Sequence, residues 1–111
     1  MRIYLDACCL LRPWDDQSQP RIRLESEAVC AVLELCAAGA HRWVSSEVVE
    51  AEMLRDPDDD RRSVMASMLR FADERLTLDE QAIQFAESLS SNGLGSMDAL
   101  HVAIAYGSGH F

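Results

Sequence analysis

Three carboxylates lie where a carboxylate is costly. Asp6 sits inside the apolar run MRIYLDACCL, where lost hydration costs several kcal/mol unless a partner compensates it. Glu52 belongs to SSEVVEAEM. At about 100° per residue Glu50 and Glu52 point about 200° apart on a helix, so only one of them faces a given site. Glu52 has Val48 and Val49 one turn behind it, whereas Glu50 has Ser46 and Glu47, which assigns Glu52 to the interior and Glu50 to solvent. Asp98 opens the segment GSMDALHVAIAYG and shares a face with Val102 and Ala105, directing it inward. The plainer role for Asp98 is to meet the positive end of its own helix, worth about 0.3–1 kcal/mol. Three converging carboxylates repel one another unless one takes up a proton or a divalent cation neutralises them. A hard cation held by few carboxylates, with water completing its shell, fits Mg²⁺ or Mn²⁺. Such an ion activates water and stabilises charge on a phosphodiester under attack.

The elements that must position these acids follow from local pattern. RIYLD reads as a strand ending near Asp6, followed by a loop RPWDDQSQP with two prolines. The apolar-periodic RIRLESEAVCAVLELCAAG predicts a helix closed by Gly39. HRWVS is a second strand, after which Ser46 caps a helix with Glu47 in its first turn and Pro57 as its stop. DDDRRSVMASMLRFADE predicts a helix, RLTL a short strand and DEQAIQFAESLSSNG a helix ending at Asn-Gly. The last helix, capped by Ser96, is apolar on nearly every side and therefore expected to be buried. Strands separated by helices imply a parallel sheet covered on both faces, an α/β/α sandwich. In such a sheet the strand ends and following helix N-termini line one edge, where ligands bind. Asp6, Glu52 and Asp98 all map to that edge.

At 111 residues the chain is expected to form one domain, 1–111, able to bury a core without disulfides or a structural metal. No apolar run is long enough to span a bilayer and the N-terminus lacks the stages of a signal peptide, so a cytoplasmic protein is expected. Cys8, Cys9, Cys30 and Cys36 have neither redox-pair nor zinc-knuckle spacing and read as small buried hydrophobes. The net charge of −9 argues against coating nucleic acid through an overall field. Every cation is an arginine, and Arg12, Arg21 and Arg23 gather in RPWDDQSQPRIR. Arginine suits forked contacts with phosphate, while the alternative is a solvated loop with local ion pairs. No serine, cysteine or lysine nucleophile with a matching base is visible. A phosphatase with an aspartyl nucleophile, of the haloacid-dehalogenase type, wants a second aspartate two residues on, where Cys8 stands.

The combination YLDACCLLRPWDDQ, VSSEVVEAE and SMDALHVAIA resembles the PIN domain family, specifically the bacterial group of VapC-type toxins. The likeness covers essentially the whole chain, with three acidic motifs in the family's order. It implies a metal-dependent endoribonuclease acting on single-stranded RNA, often a homodimer and often held inactive by a cognate antitoxin protein. Carried over by motif, the catalytic and metal-binding acids fall on Asp6, Glu52 and Asp98. The family pattern continues past the DALHVA helix into a strand and a segment supplying a fourth acid, whereas this sequence ends at Phe111. The resemblance thus implies a C-terminally truncated PIN-like sandwich. Its rival in another class is a PIN-fold remnant acting as a binding or dimerisation module.

His101 lies one turn after Asp98, within bonding reach of it, and is read as a packed helix histidine. His41 and His110 have no ligand spacing with any cysteine. Trp14 and Trp43 are assigned to packing in preference to stacking on bases. Tyr4 and Phe71 are assigned to the core.

Overall fold

The computed structural model describes residues 1–109. The chain forms a mixed α/β fold with three strands, β1 (Arg2–Tyr4), β2 (Arg42–Ser46) and β3 (Glu74–Leu76). Its helices are α1 (Ala7–Leu11), α2 (Pro20–Ala37), α3 (Glu47–Arg55), α4 (Asp59–Leu69), α5 (Glu80–Ser91) and α6 (Ser96–Gly107), with a 3-10 turn at Arg12–Trp14. The strands are parallel in the order β1-β2-β3, with Tyr4 opposite Val44 and Val44 opposite Glu74. Side chains alternate along a strand, so Tyr4, Val44, Ser46 and Glu74 share one face and Ile3 and Trp43 the other. Among the described residues no helix is long and apolar enough to cross a membrane.

Most helix boundaries have local causes. The Ser46 hydroxyl accepts from the amides of Val48 and Val49, Asp58 from those of Asp60 and Arg61, and Asp79 from that of Ala82. Each cap satisfies amides that the first helical turn leaves without partners. Gly39, at φ +83°, supplies the left-handed residue after α2. Beyond α3 the chain turns at Asp56 and Pro57 cannot continue it. The short helix α1 replaces the expected loop entry: Asp6 is extended, and its carboxylate accepts from the Cys9 amide at 3.0 Å. Asp6 is therefore the N-cap of a one-turn helix whose Leu10 and Leu11 are buried. At α6 the cap falls on Gly95, with no side-chain bond, instead of the expected Ser96.

The main core joins Leu10 and Leu11 of α1, Cys36 of α2, Trp43 of β2, Val49 of α3 and Met65 of α4. Burying a leucine or methionine side chain stabilises by about 1.5–3 kcal/mol. A second, smaller cluster sets Ala82 and Ala86 of α5 against Ala99 and Ala103 of α6. This contact corrects the picture of a fully buried last helix. Small residues let α5 and α6 approach along the Ala99–Ala103 stripe, and Val102 and Tyr106 stay exposed beside it. Tyr106 instead stacks on Phe85 of α5 at a centroid distance of 5.2 Å.

Other core assignments are corrected too. Phe71, 80 % exposed, lies in the turn after α4, where the chain leaves the core to enter β3. Cys8 and Cys30 are exposed and Cys9 is half-buried, leaving Cys36 as the buried cysteine. Cys30 falls on the outer face of α2, whose inward side carries Ser26, Val29 and Cys36. Trp43 packs in the core as expected, whereas Trp14 is exposed. His110 and Phe111 lie outside the described residues.

Candidate functional site

The ends of β1 and β2 deliver Asp6 and α3 to the same region. Val48 and Val49 are buried, and Glu52, one turn on, is half-buried as its periodicity predicts. Glu50, on the other side of α3, pairs with Arg75 at 2.7 Å. A groove of about 330 Å³ is lined by Ala7, Cys8, Glu52, Met53, Arg55 and Met97, among others. The residues adjoining Asp6 and Asp98 in the chain therefore line the same groove as Glu52. The side chain of Asp98 faces solvent, correcting its inward assignment. It does share a face with Val102, but that is the exposed stripe of α6.

Glu52 is held by a partly buried polar chain that its sequence neighbours do not reveal. The Tyr4 hydroxyl lies 2.7 Å from the Ser46 hydroxyl and 2.5 Å from Nδ1 of His101. Nε2 of His101 bonds to the Oε1 oxygen of Glu52. The Tyr4 and His101 rings meet edge-on with centroids 5.5 Å apart. His101 is a packed helix histidine, as expected, but its partners are Tyr4 and Glu52 and not Asp98. Tyr4 is half-buried, and its hydroxyl is pushed up to about 12, first by burial and further by the negative charges of Glu52 and Asp6. The same two carboxylates, after burial, raise the Cys8 thiol above its ordinary range. Asp6 and Glu52 thus act on common neighbours although 46 positions separate them in the sequence (52 − 6). No local signal could have joined residues of β1, β2, α3 and α6; only the alternation placing Tyr4 and Ser46 on one strand face hinted at it.

The donor chemistry of Asp6, Glu52 and Asp98 fits a hard divalent cation, since all three offer carboxylate oxygens. Oε2 of Glu52 and the carboxylate of Asp98 accept no hydrogen bond from a described residue. Among the described residues, no three His, Cys, Asp or Glu side chains are drawn together as a cation-binding group. The arginines divide sharply. Arg12 pairs with Asp15 and Glu25, Arg21 with Glu25, and Arg61 with Asp15 and Asp56. Arg23 and Arg55 are exposed and have no acidic partner among the described residues, and of these Arg55 lines the groove. Comparison with protein-family models, curated proteins and solved structures returned no match.

Proposed function

We propose that the chain is a PIN-like, metal-dependent endoribonuclease that hydrolyses phosphodiester bonds of single-stranded RNA. The observation that carries this reading is the groove that Glu52 lines together with the chain neighbours of Asp6 and Asp98. Glu52 lines the groove, the chain neighbours of Asp6 and Asp98 line it too, and carboxylate oxygens are the donors that Mg²⁺ or Mn²⁺ takes. Asp6, Glu52 and Asp98 would hold the ion, which when bound supplies an activated water and charge stabilisation at phosphate. The chain's own residues do the rest. Asp6 is fixed by the Cys9 amide, Glu52 by His101, and Arg55 supplies a cation on the groove wall for a phosphate of the RNA backbone.

The three-layer sandwich and the cytoplasmic location belong to the same proposal and rest on the sequence pattern, and the homodimer and the role as toxin with a cognate antitoxin rest on the motif resemblance. A second reading, a PIN-fold module that binds or dimerises without cleaving, draws on Asp98 facing solvent. Cleavage of a labelled RNA pool with Mn²⁺ or Mg²⁺, beside Asp6→Asn and Asp98→Asn chains and an EDTA control, separates the two. Metal-dependent cleavage lost in both variants supports the nuclease. Wild-type chain that is folded yet cleaves no more than the variants supports the module.

A further inference from the structure

Ser45 of β2 stands opposite Arg75 of β3, so the two side chains leave the sheet on one face, the face of Trp43. On that face α3 and the end of α4 border a cavity of about 300 Å³, lined among others by Ser45, Glu50, Met53, Arg70 and Arg75. It is separate from the groove of Glu52: among the described residues, Met53 alone lines both. Two polar groups here lack partners. Ser45 is 4 % exposed, yet its hydroxyl has no hydrogen-bond partner among the described residues, and native folds leave few buried polar groups in that state. Arg70, the C-cap of α4, is exposed and has no acidic partner among the described residues. Arg75 is by contrast committed, to Glu50 at 2.7 Å and Glu47 at 3.8 Å, and the same pairing occupies the Glu50 carboxylate. What remains is one cation and one hydroxyl donor, beside the apolar Met53, Ala66, Leu69 and Ala72. A carboxylate answers both, since a guanidinium donates to it as a fork and a serine hydroxyl donates to one of its oxygens. A cationic ligand would meet Arg70, and an uncharged hydrocarbon would leave the Ser45 hydroxyl without a partner.

We propose that the cavity between α3, α4 and the β2–β3 face binds a small organic monoanion, a carboxylate with a short apolar body. The carboxylate is taken by Arg70 and Ser45, and the body lies against Met53 and Leu69. Ligand pockets span about 300–1,000 Å³, and a cavity of about 300 Å³ suits a short chain or one aromatic ring. None of its residues belongs to the proposed metal site, so its test is independent of the nuclease reading.

Methyl ¹H–¹³C spectra of the full chain, titrated with hexanoate and with benzoate, test this site. Saturable shifts are expected at Met53, Ala66 and Leu69. Hexanol and acetate, which keep only the body or only the charge, are expected to bind about tenfold more weakly or worse. Arg70→Gln and Ser45→Ala are each expected to weaken the acids by about tenfold. Arg70 is exposed and the Ser45 hydroxyl has no partner to lose, so both variants are expected to melt no lower than wild type. No saturable shift with either acid overturns the site. Equal binding of hexanol or acetate overturns the monoanion as its ligand, and so does unchanged affinity in Arg70→Gln. A lower melting temperature for Ser45→Ala shows that the hydroxyl already has a partner and overturns its assignment to the ligand.

Discussion

His101 and Glu52, separated by 49 positions, are joined through Nε2 and Oε1, while Asp98, one turn before His101 on the same helix, faces solvent. One helix therefore brings two different services to the groove. His101, which holds Glu52, and Asp98, an acid available to a ligand, stand about 60° apart on α6, the first half-buried and the second exposed.

Ser46 serves three neighbours at once, two amides of α3 and Tyr4. Ser46→Ala removes a cap, at about 1 kcal/mol, and strands buried donors, at about 1–3 kcal/mol. Urea unfolding is expected to register a combined loss of about 2–3 kcal/mol. A loss below about 0.5 kcal/mol, the range of ordinary surface substitutions, would mean that water replaces the hydroxyl.

Glu74 binds Arg2 through both carboxylate oxygens and also meets Arg42. These contacts, the Arg2 hydrogen bonds foremost, hold its carboxyl below the ordinary 4.5. A depressed carboxyl contributes stability above its unfolded value and loses it as pH falls through the folded one. Thermal melts between about pH 6 and pH 3 should therefore fall less steeply for Glu74→Gln than for wild type, chiefly below 4.5. Parallel curves would show that solvent screens the ion pair.

Cys8 and Cys30 are exposed and Cys36 is buried. Alkylation of the native chain followed by peptide mapping should label the first two and reach Cys36 only on unfolding. Burial and then the Asp6 carboxylate raise the Cys8 thiol above 9.0, leaving little thiolate near neutral pH. Asp6→Asn is expected to speed labelling of Cys8 and leave Cys30 unchanged. Equal rates for Cys8 in the two chains would place the Asp6 charge too far away to matter.

On the nuclease reading, Arg55 contacts a phosphate of the RNA. With EDTA present to prevent cleavage, Arg55→Ala should weaken binding of a fluorescent single-stranded RNA. It should also reduce the slope of log affinity against log salt by about 1. Arg23→Ala, equally exposed but outside the residues of the groove, serves as the control. The same loss in both variants would mean a diffuse electrostatic effect and no anchored phosphate.

Much of the architecture was legible from local chemistry. Ser46, Pro57 and Gly39 mark boundaries because caps, missing amides and left-handed residues act within a few positions of themselves. The second strand was expected at HRWVS and runs Arg42–Ser46, and the inward side of α3 and the separation of Glu52 from Glu50 follow from helical periodicity. The helix α1 was not legible, because ACCLL is too short to display a period and its capping aspartate reads equally as the end of a strand.

What the sequence by itself determined was the order of strands and helices apart from α1, the parallel mixed α/β class and the three acids set beside their elements. What only the tertiary structure decided was which side of each helix finds a neighbour. The periodicity that puts Asp98 with Val102 is correct, yet it cannot say that α5 takes the other stripe, because the choice depends on Ala82 and Ala86 arriving from elsewhere in the chain. Phe71 and Cys30 are apolar residues left outside for the same reason. The path from Ser46 through Tyr4 and His101 to Glu52 is likewise tertiary, since a hydrogen bond depends on distance in space and its partners come from four separate elements.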